Sequence, residues 1–249
     1  MPSILITGCS SGFGLETARL FLGRGWNVIA TMRSPRTELL PASDQLRILP
    51  LDITDPNSIA RAVAEAEPID VLVNNAGFGA RIAIELTPAE TARALFETNT
   101  LGTLAMTQAV LPQFRERRSG VIINVTSSVT LKPLPLIGVY RASKAAVSAF
   151  TETLAVKVGP FGVRVHLVLP GRSPETKFAA NARPDLHGLG NPDYAPIIQS
   201  FMSRVRESSG PVTHAADVAR AIWRAATDPS APLRIPAGED AEVWMAEAS

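Results

Sequence analysis

Tyr140 and Lys144 lie four residues apart in a segment with a helical pattern, so one helix face would carry both side chains. A phenol has an ordinary pKa of about 10 and is a poor acid or base at neutral pH. An ammonium group about 4 Å from the phenolate would stabilise it by roughly 4 kcal/mol at an effective dielectric constant of about 20, or about three pKa units. The pair predicts a tyrosine that titrates at about pH 7 and exchanges a proton with a substrate oxygen. The alternative is a solvated helix face, because such pairs are common on helices.

The composition excludes several classes of function. The 249 residues, 46% of them hydrophobic, are enough for a sizeable core and favour a single domain over residues 1–249. The formal net charge is +1 and the basic residues are scattered, so no surface for nucleic acid or an anionic membrane is expected. The three histidines (His166, His187 and His214) lack the spacing of a metal site.

The cysteine content and the N-terminus bear on the compartment. Cys9 is the single cysteine, which excludes an intrachain disulfide and fits a reducing environment. Its place inside a glycine turn favours a small packing residue over a reactive thiol. The N-terminus leads directly into an apolar strand without a basic region, and no run of about 18 apolar residues occurs. We therefore expect a cytoplasmic protein without a membrane span.

Strand-length apolar runs alternate with helical patterns along the chain. The runs mostly lack alternating polar residues, which indicates strands covered on both faces. They occupy residues 4–7, 28–31, 46–51, 71–74, 121–126, 163–169 and 233–236. Helical patterns occupy residues 14–25, 56–66, 88–117, 140–158 and 215–227, and only a weak helix is expected at 34–44. This alternation predicts an α/β fold with a parallel sheet and right-handed crossovers.

A glycine-rich turn, TGCSSGFG at residues 7–14, directly follows the first predicted strand and opens the first long helix. Glycines there let the backbone approach a pyrophosphate, and the helix N-terminus supplies N–H groups and a positive dipole. A glycine-rich turn alone also serves tight turns, but its place in a βαβ pattern favours a dinucleotide site. The predicted cofactor contacts in this turn are Gly8, Ser10, Ser11, Gly12, Phe13 and Gly14.

The end of the second strand indicates which dinucleotide binds. An acidic residue at this place would accept from the ribose hydroxyls of NAD and repel a 2′-phosphate. No acid occurs between Gly25 and Arg36, and the run VIATMR instead ends on Arg33. A guanidinium makes charge-assisted hydrogen bonds to phosphate, so NADP(H) is the predicted cofactor, with Ser11 as a second phosphate contact. The alternatives are an ordinary exposed arginine at 33 and a phosphate contact shared with or replaced by Arg36.

The stretch 171–211 departs from the alternating order. Four prolines (Pro174, Pro184, Pro192 and Pro196) interrupt a set of apolar residues that includes Phe178, Leu186, Tyr194, Ile197, Ile198, Phe201 and Met202. The stretch follows a strand end, where open α/β sheets bind ligands, and a long loop in a compact domain is usually functional or disordered. We interpret residues 171–211 as a substrate lid, with a flexible insertion as the alternative.

Taken together, the motifs resemble those of short-chain dehydrogenases/reductases. The glycine turn, LDITD at 51–55, NNAG at 74–77, the Asn99 segment, the strand end at Ser127 and YRASK at 140–144 occur in the order seen in that family. The resemblance covers nearly the whole chain. It implies a single Rossmann-type domain, a doubly wound parallel sheet of about seven strands with helices on both faces, and homodimers or homotetramers built on the helices at 88–117 and 140–158. The run ATMR after the second strand is most similar to the NADP-preferring branch that resembles hydroxysteroid dehydrogenases.

The resemblance also implies a catalytic set. Tyr140 would be the acid/base, Ser127 would hydrogen-bond the substrate oxygen, and Lys144 would bind the nicotinamide ribose while tuning the tyrosine. Asn99 would hold a water in a proton relay that reaches Lys144, although an asparagine within a helix can equally mark a local bulge. Ser127 is preferred over Ser128 because it lies thirteen residues before the tyrosine, as in the family.

Further cofactor contacts follow from the same resemblance. Asp52 and the backbone of Ile53 would hold the adenine, although Asp52 could instead cap a turn. The segment after the fourth strand, with Asn75, Ala76 and Gly77, would line the cofactor and stabilise the sheet. Pro170 and Gly171 match the family's Pro-Gly, after which a threonine usually follows at the fourth position. Here that position is Glu175 and the threonine is Thr176, so we expect Thr176 to serve through a longer turn.

The expected function is an NADP(H)-dependent oxidoreductase that interconverts a ketone or aldehyde and an alcohol, with a small apolar substrate. The C-terminal strand at 233–238 lacks the Gly-Gly ending typical of oxoacyl-carrier-protein reductases, which disfavours an acyl-carrier substrate and a tetramer. The alternative is a regulatory protein that binds NADP without turnover. Such a sensor has no chemical need for an intact Ser, Tyr and Lys set, so the set favours the enzyme.

Overall fold

The computed structural model describes residues 1–176 and 191–248. In these residues seven strands form one parallel sheet in the order β3-β2-β1-β4-β5-β6-β7. The strands are β1 (Ser3–Ile6), β2 (Asn27–Met32), β3 (Leu46–Pro50), β4 (Val71–Asn74), β5 (Gly120–Val125), β6 (Val163–Pro170) and β7 (Arg234–Ala237). The strand order reverses between β1 and β4, and the carboxyl ends of strands at such a switch point form a ligand crevice in open α/β sheets. The predicted seven-stranded, doubly wound sheet is confirmed.

Helices cover both faces of the sheet. They are α1 (Gly12–Gly23), α2 (Pro56–Ala66), α3 (Ala89–Phe96), α4 (Thr103–Arg117), α5 (Gly138–Val158), α6 (Ala195–Glu207), α7 (Ala215–Thr227) and α8 (Glu239–Glu247). Successive residues of β1 point to opposite faces: Ile4 and Ile6 join the core with α1 and α7, whereas Leu5 joins the core with α2 and α4. This two-sided burial is why the strands read as apolar runs without alternation.

The predicted helix at 88–117 is interrupted. α3 and α4 are joined by a π-helical segment at Glu97–Gly102, and this segment contains Asn99. A π segment inserts an extra residue into the helical ladder and often marks a functional site. The bulge that the sequence left open as one explanation for Asn99 is therefore present. The weak helix expected at 34–44 is a 3-10 turn over Thr37–Leu39.

Part of the predicted lid is helical, so the interpretation of 171–211 as one long loop is wrong for residues 195–207. Pro196 lies in the first turn of α6, where proline is tolerated because its missing N–H would lack a partner anyway. Residues 177–190 of the lid lie outside the described residues.

The helix α8 was not predicted. It follows Gly238 and carries Glu239, Asp240 and Glu242 in its first turn, where acidic side chains stabilise the helix through its dipole. None of the described helices combines the length and apolar character needed to cross a bilayer.

Candidate active site

The glycine turn lies at the carboxyl end of β1 and is fixed by the residues that follow β4. The Thr7 hydroxyl accepts hydrogen bonds from the N–H groups of Asn75 and Ala76, both at 2.9 Å. Asn75 Nδ2 in turn donates to the carbonyl oxygens of Thr7 at 2.9 Å and Gly8 at 3.2 Å. A Cβ at Gly14 would lie 2.5 Å from both Asn75 Nδ2 and the Gly8 oxygen, so only glycine permits this approach of α1 to the turn. Two predicted cofactor contacts, Asn75 and Ala76, therefore also build the turn.

The start of α1 has the properties of an anion site. Ser11 makes no side-chain cap, and the first turn contains no acidic residue. The first N–H groups of a helix lack intrahelical partners, and together with the helix dipole they attract phosphate. Gly12 has φ +59°, and a Cβ there would lie 3.6 Å from the Thr176 Cβ, so Thr176 lies across the turn. Ser173 Oγ is buried and lacks a hydrogen-bond partner within the described part of the chain. The turn and its surroundings fit the pyrophosphate of a dinucleotide.

Two arginines follow β2, and one of them is bonded to the glycine turn. Arg36 Nη2 donates to the Ser10 carbonyl at 2.7 Å, which ties it to the turn itself. Arg33 lies near Asp52 and helps to lower the pKa of that carboxyl, although two hydrogen bonds from Thr54 contribute more to the shift. Both cations therefore lie just beyond the carboxyl end of β2, at the edge of the sheet that also carries the glycine turn.

Asp52 and Ile53 follow β3 and have structural roles in the described geometry. Asp52 Oδ1 accepts from the N–H of Thr54 at 2.9 Å and from its hydroxyl at 2.7 Å. The turn-capping role that the sequence left open for Asp52 is thus present, and its adenine contact stays a prediction. Ile53 is buried and packs against Gly102 of the π segment, where a Cβ would lie 2.9 Å from the Ile53 side chain.

Ser127, Tyr140 and Lys144 are brought together at the carboxyl end of β5. Their exposed fractions are 7%, 7% and 5%, so all three side chains are nearly removed from water. The Tyr140 and Ser127 side chains are hydrogen-bonded to each other, which supports the choice of Ser127. Lys144 Nζ donates to the Val125 carbonyl at 3.0 Å. The strand end and the first two turns of α5 thus position a hydroxyl, a phenol and an amine in one buried cluster.

Burial dominates the titration of this cluster. It raises the pKa of Tyr140 to about 12, against a smaller opposing effect of the hydrogen bond with Ser127. It lowers the pKa of Lys144 to about 8. The prediction that Lys144 brings the pKa of Tyr140 to about 7 is wrong for this geometry, because loss of solvation disfavours both charged forms. The phenol is therefore protonated at neutral pH.

Asn99 and Gly77 adjoin Lys144. Asn99 is fully buried, and its Nδ2 donates to Ser143 Oγ at 3.0 Å, while Ser143 Oγ donates to the Tyr140 carbonyl at 2.7 Å. A Cβ at Gly77 would lie 2.8 Å from Asn99 Oδ1 and 3.3 Å from Lys144 Nζ. Asn99, Gly77 and Lys144 therefore lie next to one another, while the water relay from Asn99 to Lys144 and the cofactor contact of Gly77 stay predictions.

Glu175 stands where the family usually has a threonine, and the structure gives it a role in fixing the loop after β6. Pro170 ends the strand, and the chain then runs through Gly171 to Thr176. Glu175 Oε1 accepts from the Ala215 N–H at 3.0 Å, so the glutamate caps the start of α7. Thr176, one residue later, is the residue that reaches the glycine turn, as expected for a longer turn.

An apolar cluster packs around Tyr140. Its buried members besides the tyrosine are Ala80, Ile82, Leu95 and Ile137. The half-buried side chains of Phe78, Leu86, Val129, Leu134 and Val139 pack against them. The surroundings of the phenol are therefore apolar on the side of the segments 78–86 and 129–139.

Sequence reasoning missed three residues that support the site. Thr7 fixes the glycine turn, and Ser143 links Asn99 to α5. Asn124 in β5 accepts from Asn74 Nδ2 at 2.8 Å and donates to Thr151 Oγ1 at 2.8 Å, which joins the sheet to α5. An asparagine within an otherwise apolar strand is a recognisable signal, since a buried amide requires partners. Ser143 could have been found from its place three residues after Tyr140 on the same helix face.

Comparison with known sequences identifies the family of the chain. The sequence model described as short chain dehydrogenase matches residues 2–187, and the chain belongs to this family of oxidoreductases. A 3-ketodihydrosphingosine reductase from Bacteroides thetaiotaomicron is 35% identical over 249 residues, which cover 98% of this chain and 90% of the relative. Human 11-beta-hydroxysteroid dehydrogenase type 2 is 39% identical over 181 residues, which cover 68% of this chain and 44% of the relative.

Solved structures share the fold. A short-chain dehydrogenase from Streptomyces avermitilis superposes with a TM-score of 0.83 at 34% identity, covering 99% of this chain and 92% of the other. A short chain dehydrogenase from Burkholderia cenocepacia, solved in complex with NADP, gives a TM-score of 0.78 at 28% identity, with 99% and 91% covered. These likenesses extend the family assignment to nearly the whole length of the chain.

Proposed function

We propose that this protein is an NADP(H)-dependent oxidoreductase that interconverts a ketone or aldehyde and the corresponding alcohol. The observation that carries the proposal is the buried cluster in which Ser127 is hydrogen-bonded to Tyr140. This cluster lies at the same edge of the sheet as the glycine turn. A phenol and a hydroxyl that converge beside a dinucleotide turn can bind one carbonyl oxygen together.

In the reductive direction the residues of the chain handle the oxygen and its proton. Ser127 donates a hydrogen bond to the carbonyl oxygen, and Tyr140 transfers its proton to that oxygen as negative charge develops. The pKa of about 12 makes Tyr140 a weak acid but keeps its proton in place at neutral pH. The transfer is still favourable, because the alkoxide that develops on the substrate oxygen is a stronger base than the phenolate. Lys144 Nζ donates a hydrogen bond to the Val125 carbonyl, and this bond fixes the location of the amine relative to the Tyr140 side chain. When bound, the reduced nicotinamide supplies the hydride for the carbonyl carbon.

The charges around the turn support NADP(H) as the cofactor. Gly8, Ser10, Ser11, Gly12 and Thr176 would surround the pyrophosphate, and Arg33 and Arg36 would hold the 2′-phosphate. The Burkholderia cenocepacia relative was solved with NADP, which agrees with this assignment. The negative charge of Asp52 is compatible with a 2′-phosphate nearby, because the Arg33 cation lies close to that carboxylate and offsets its charge.

The surroundings of Tyr140 support an apolar substrate. Phe78, Val129 and Leu134 are half-buried and pack against the cluster that contains the tyrosine. The Bacteroides thetaiotaomicron relative is named as a 3-ketodihydrosphingosine reductase, which agrees with a ketone as the group reduced.

We also propose a homodimer or homotetramer that uses the helical stretch 88–117, which includes the π segment, and the helix at 140–158. Val156 on α5 is 82% exposed and Leu101 in the π segment is 49% exposed. Burial of such side chains in a subunit interface would remove apolar surface from water. Light scattering of the purified protein would measure the assembly, and a monomer at micromolar concentration would contradict this part of the proposal.

The function is tested by following NADPH absorbance against a panel of ketones and aldehydes, with NADH in parallel and NADP⁺ binding measured by calorimetry. Tyr140→Phe should lower kcat by about 10²- to 10⁴-fold while NADP⁺ binding is retained. Thr227→Val is the control, because it removes an exposed hydroxyl at the end of α7 and should retain kcat. Full activity of Tyr140→Phe would contradict the acid/base role. Tight NADP⁺ binding without turnover on any compound would favour the sensor.

A further inference from the structure

The carboxylate of Asp240 holds the first residues of the loop that follows β6. The Arg172 N–H donates to Asp240 Oδ2 at 2.6 Å. A Cβ at Gly171 would lie 2.1 Å from the same oxygen, so glycine is the residue that lets the carboxylate reach the backbone. Asp240 lies in the first turn of α8, and 68 residues separate it from Arg172.

Thr213 also forms hydrogen bonds with the first residues of this loop. Its hydroxyl accepts from the Gly171 N–H at 2.8 Å and lies 2.7 Å from both the Ala237 carbonyl and Asp240 Oδ1. Its backbone N–H donates to the Arg172 carbonyl at 2.8 Å. Thr213 is fully buried, so these bonds are shielded from water. The polar backbone groups at the start of the loop are thus bonded to Asp240 and Thr213.

The far end of the same loop meets the glycine turn. Glu175 bonds to the Ala215 N–H and lies 3.1 Å from His214 Nδ1, which fixes the loop to the start of α7. Thr176 then lies against Gly12. The loop is therefore bonded to Asp240 and Thr213 at one end and to α7 at the other, and it presents Thr176 to the place where the pyrophosphate is proposed to bind.

The other end of α8 contacts the turn that follows Ser127. Lys132 Nζ lies 2.9 Å from Glu247 Oε2 and 5.5 Å from the centre of the Trp244 ring. One short helix therefore connects the loop beside the glycine turn with the turn beside the catalytic cluster.

We propose that Asp240 is a positioning residue for the dinucleotide, acting through Gly171 and Arg172 to place Thr176 over the glycine turn; this inference rests on the proposed function. A purely local role in starting α8 does not require Asp240, because Glu239 and Glu242 also lie in the first turn of that helix. The contacts of Asp240 are instead made to the loop and to Thr213.

The test measures NADP⁺ affinity by calorimetry and the hydrogen exchange of amides 171–176 in protein without nucleotide. Asp240→Ala should weaken NADP⁺ binding by about tenfold, because the free energy of this one hydrogen bond to a charged group no longer holds the loop in the conformation that binds, and it should raise the exchange of the Arg172 amide. The KM for NADPH should rise by about the same factor, while kcat at saturating cofactor stays within about twofold. Glu242→Ala is the matched control, since it removes an exposed carboxylate from the same turn and should change none of these values.

Asp240→Asn provides a rescue. Its amide oxygen can accept from the Arg172 N–H while its NH₂ group donates to Thr213 Oγ1, so affinity should return to within about threefold of the wild-type value. Equal NADP⁺ affinity of Asp240→Ala and Glu242→Ala would overturn the proposal. If Asp240→Ala does not fold, Thr213→Val removes the acceptor of the Gly171 N–H and is expected to show the same loss of affinity. A wild-type protein that binds no NADP⁺ would contradict the proposed function, and unchanged amide exchange in Asp240→Ala would then overturn the positioning role separately.

Discussion

The side-chain amide of Asn99 is hydrogen-bonded at both of its polar atoms to the backbone of Phe78. The Phe78 N–H donates to Asn99 Oδ1 at 3.0 Å, and Asn99 Nδ2 donates to the Phe78 carbonyl at 2.9 Å. The same Nδ2 donates to Ser143 Oγ. The π segment thereby anchors the chain that follows β4 to the start of α5. The amide of Asn99 organises the site in addition to any contact that it makes with water.

Asn99→Asp should destabilise the protein. The variant loses the donor to Phe78 and Ser143 and places a buried carboxylate oxygen against a carbonyl, which should lower the free energy of unfolding by about 2–3 kcal/mol. Urea denaturation measures this change. Asn57→Asp is the control, because Asn57 is exposed on α2 and the same substitution there should change stability by less than about 0.5 kcal/mol. Equal stabilities of the two variants would contradict the anchoring role.

Gly77→Ala should impair turnover more than folding. The added methyl would lie 2.8 Å from Asn99 Oδ1 and 3.3 Å from Lys144 Nζ, so one of these groups must move. We expect kcat to fall by about tenfold or more, as misplacement of about 1 Å can cost about 10²-fold. Gly23→Ala, at the end of α1, is the control because a Cβ there meets no atom within 4 Å. Wild-type kcat in Gly77→Ala would show that Asn99 and Lys144 tolerate displacement.

The stability of the protein should depend on pH through Lys144. Its pKa is lowered from 10.5 to about 8 by burial, so the unfolded chain binds more protons than the folded chain between these values. Stability should therefore rise as pH increases through this window, by about 1 kcal/mol between about pH 8 and about pH 9. Below the folded-state pKa the penalty of burying the charge is fully present.

Lys144→Met isolates this contribution, since the variant cannot titrate at this position. The difference in unfolding free energy between wild type and Lys144→Met, measured by urea denaturation, should change by about 1 kcal/mol over the same interval. The buried thiol of Cys9, whose pKa is raised to about 12 by burial, affects both proteins equally and cancels in the difference. A constant difference would show that Lys144 keeps its ordinary pKa.

Cofactor preference should depend on the two arginines after β2. Arg33→Ser should raise the KM for NADPH by about tenfold or more and leave that for NADH nearly unchanged, because the guanidinium is proposed to contact the cofactor only at the additional phosphate. Arg36→Ser should have a smaller effect on preference, since Arg36 also bonds to the Ser10 carbonyl and its loss disturbs the turn for both cofactors. Arg61→Ser, an exposed change on α2, is the control. An unchanged ratio of the two KM values in Arg33→Ser would assign the phosphate contact to another group.

The strands were predicted correctly because burial on both faces of the sheet determines both their apolar sequence and their place in the fold. Strands buried on both faces must be apolar throughout, and the seven runs lie close to the seven strands. The prediction failed at residues 195–207 because the prolines that suggested a loop include Pro196, which lies in the first turn of α6. The helix α8 was missed because only nine residues form it and its pattern is weak.

The sequence by itself determined the seven strands, the helices α1, α2, α5 and α7, the glycine turn at the end of β1, and the spacing that puts Tyr140 and Lys144 on one face of α5. These features depend on neighbours within a few residues. Only the tertiary structure decided which form Tyr140 takes at neutral pH, because the pKa depends on burial by segments distant in sequence. It likewise decided that Asp240 holds Arg172, a contact between residues 68 positions apart that no local pattern encodes.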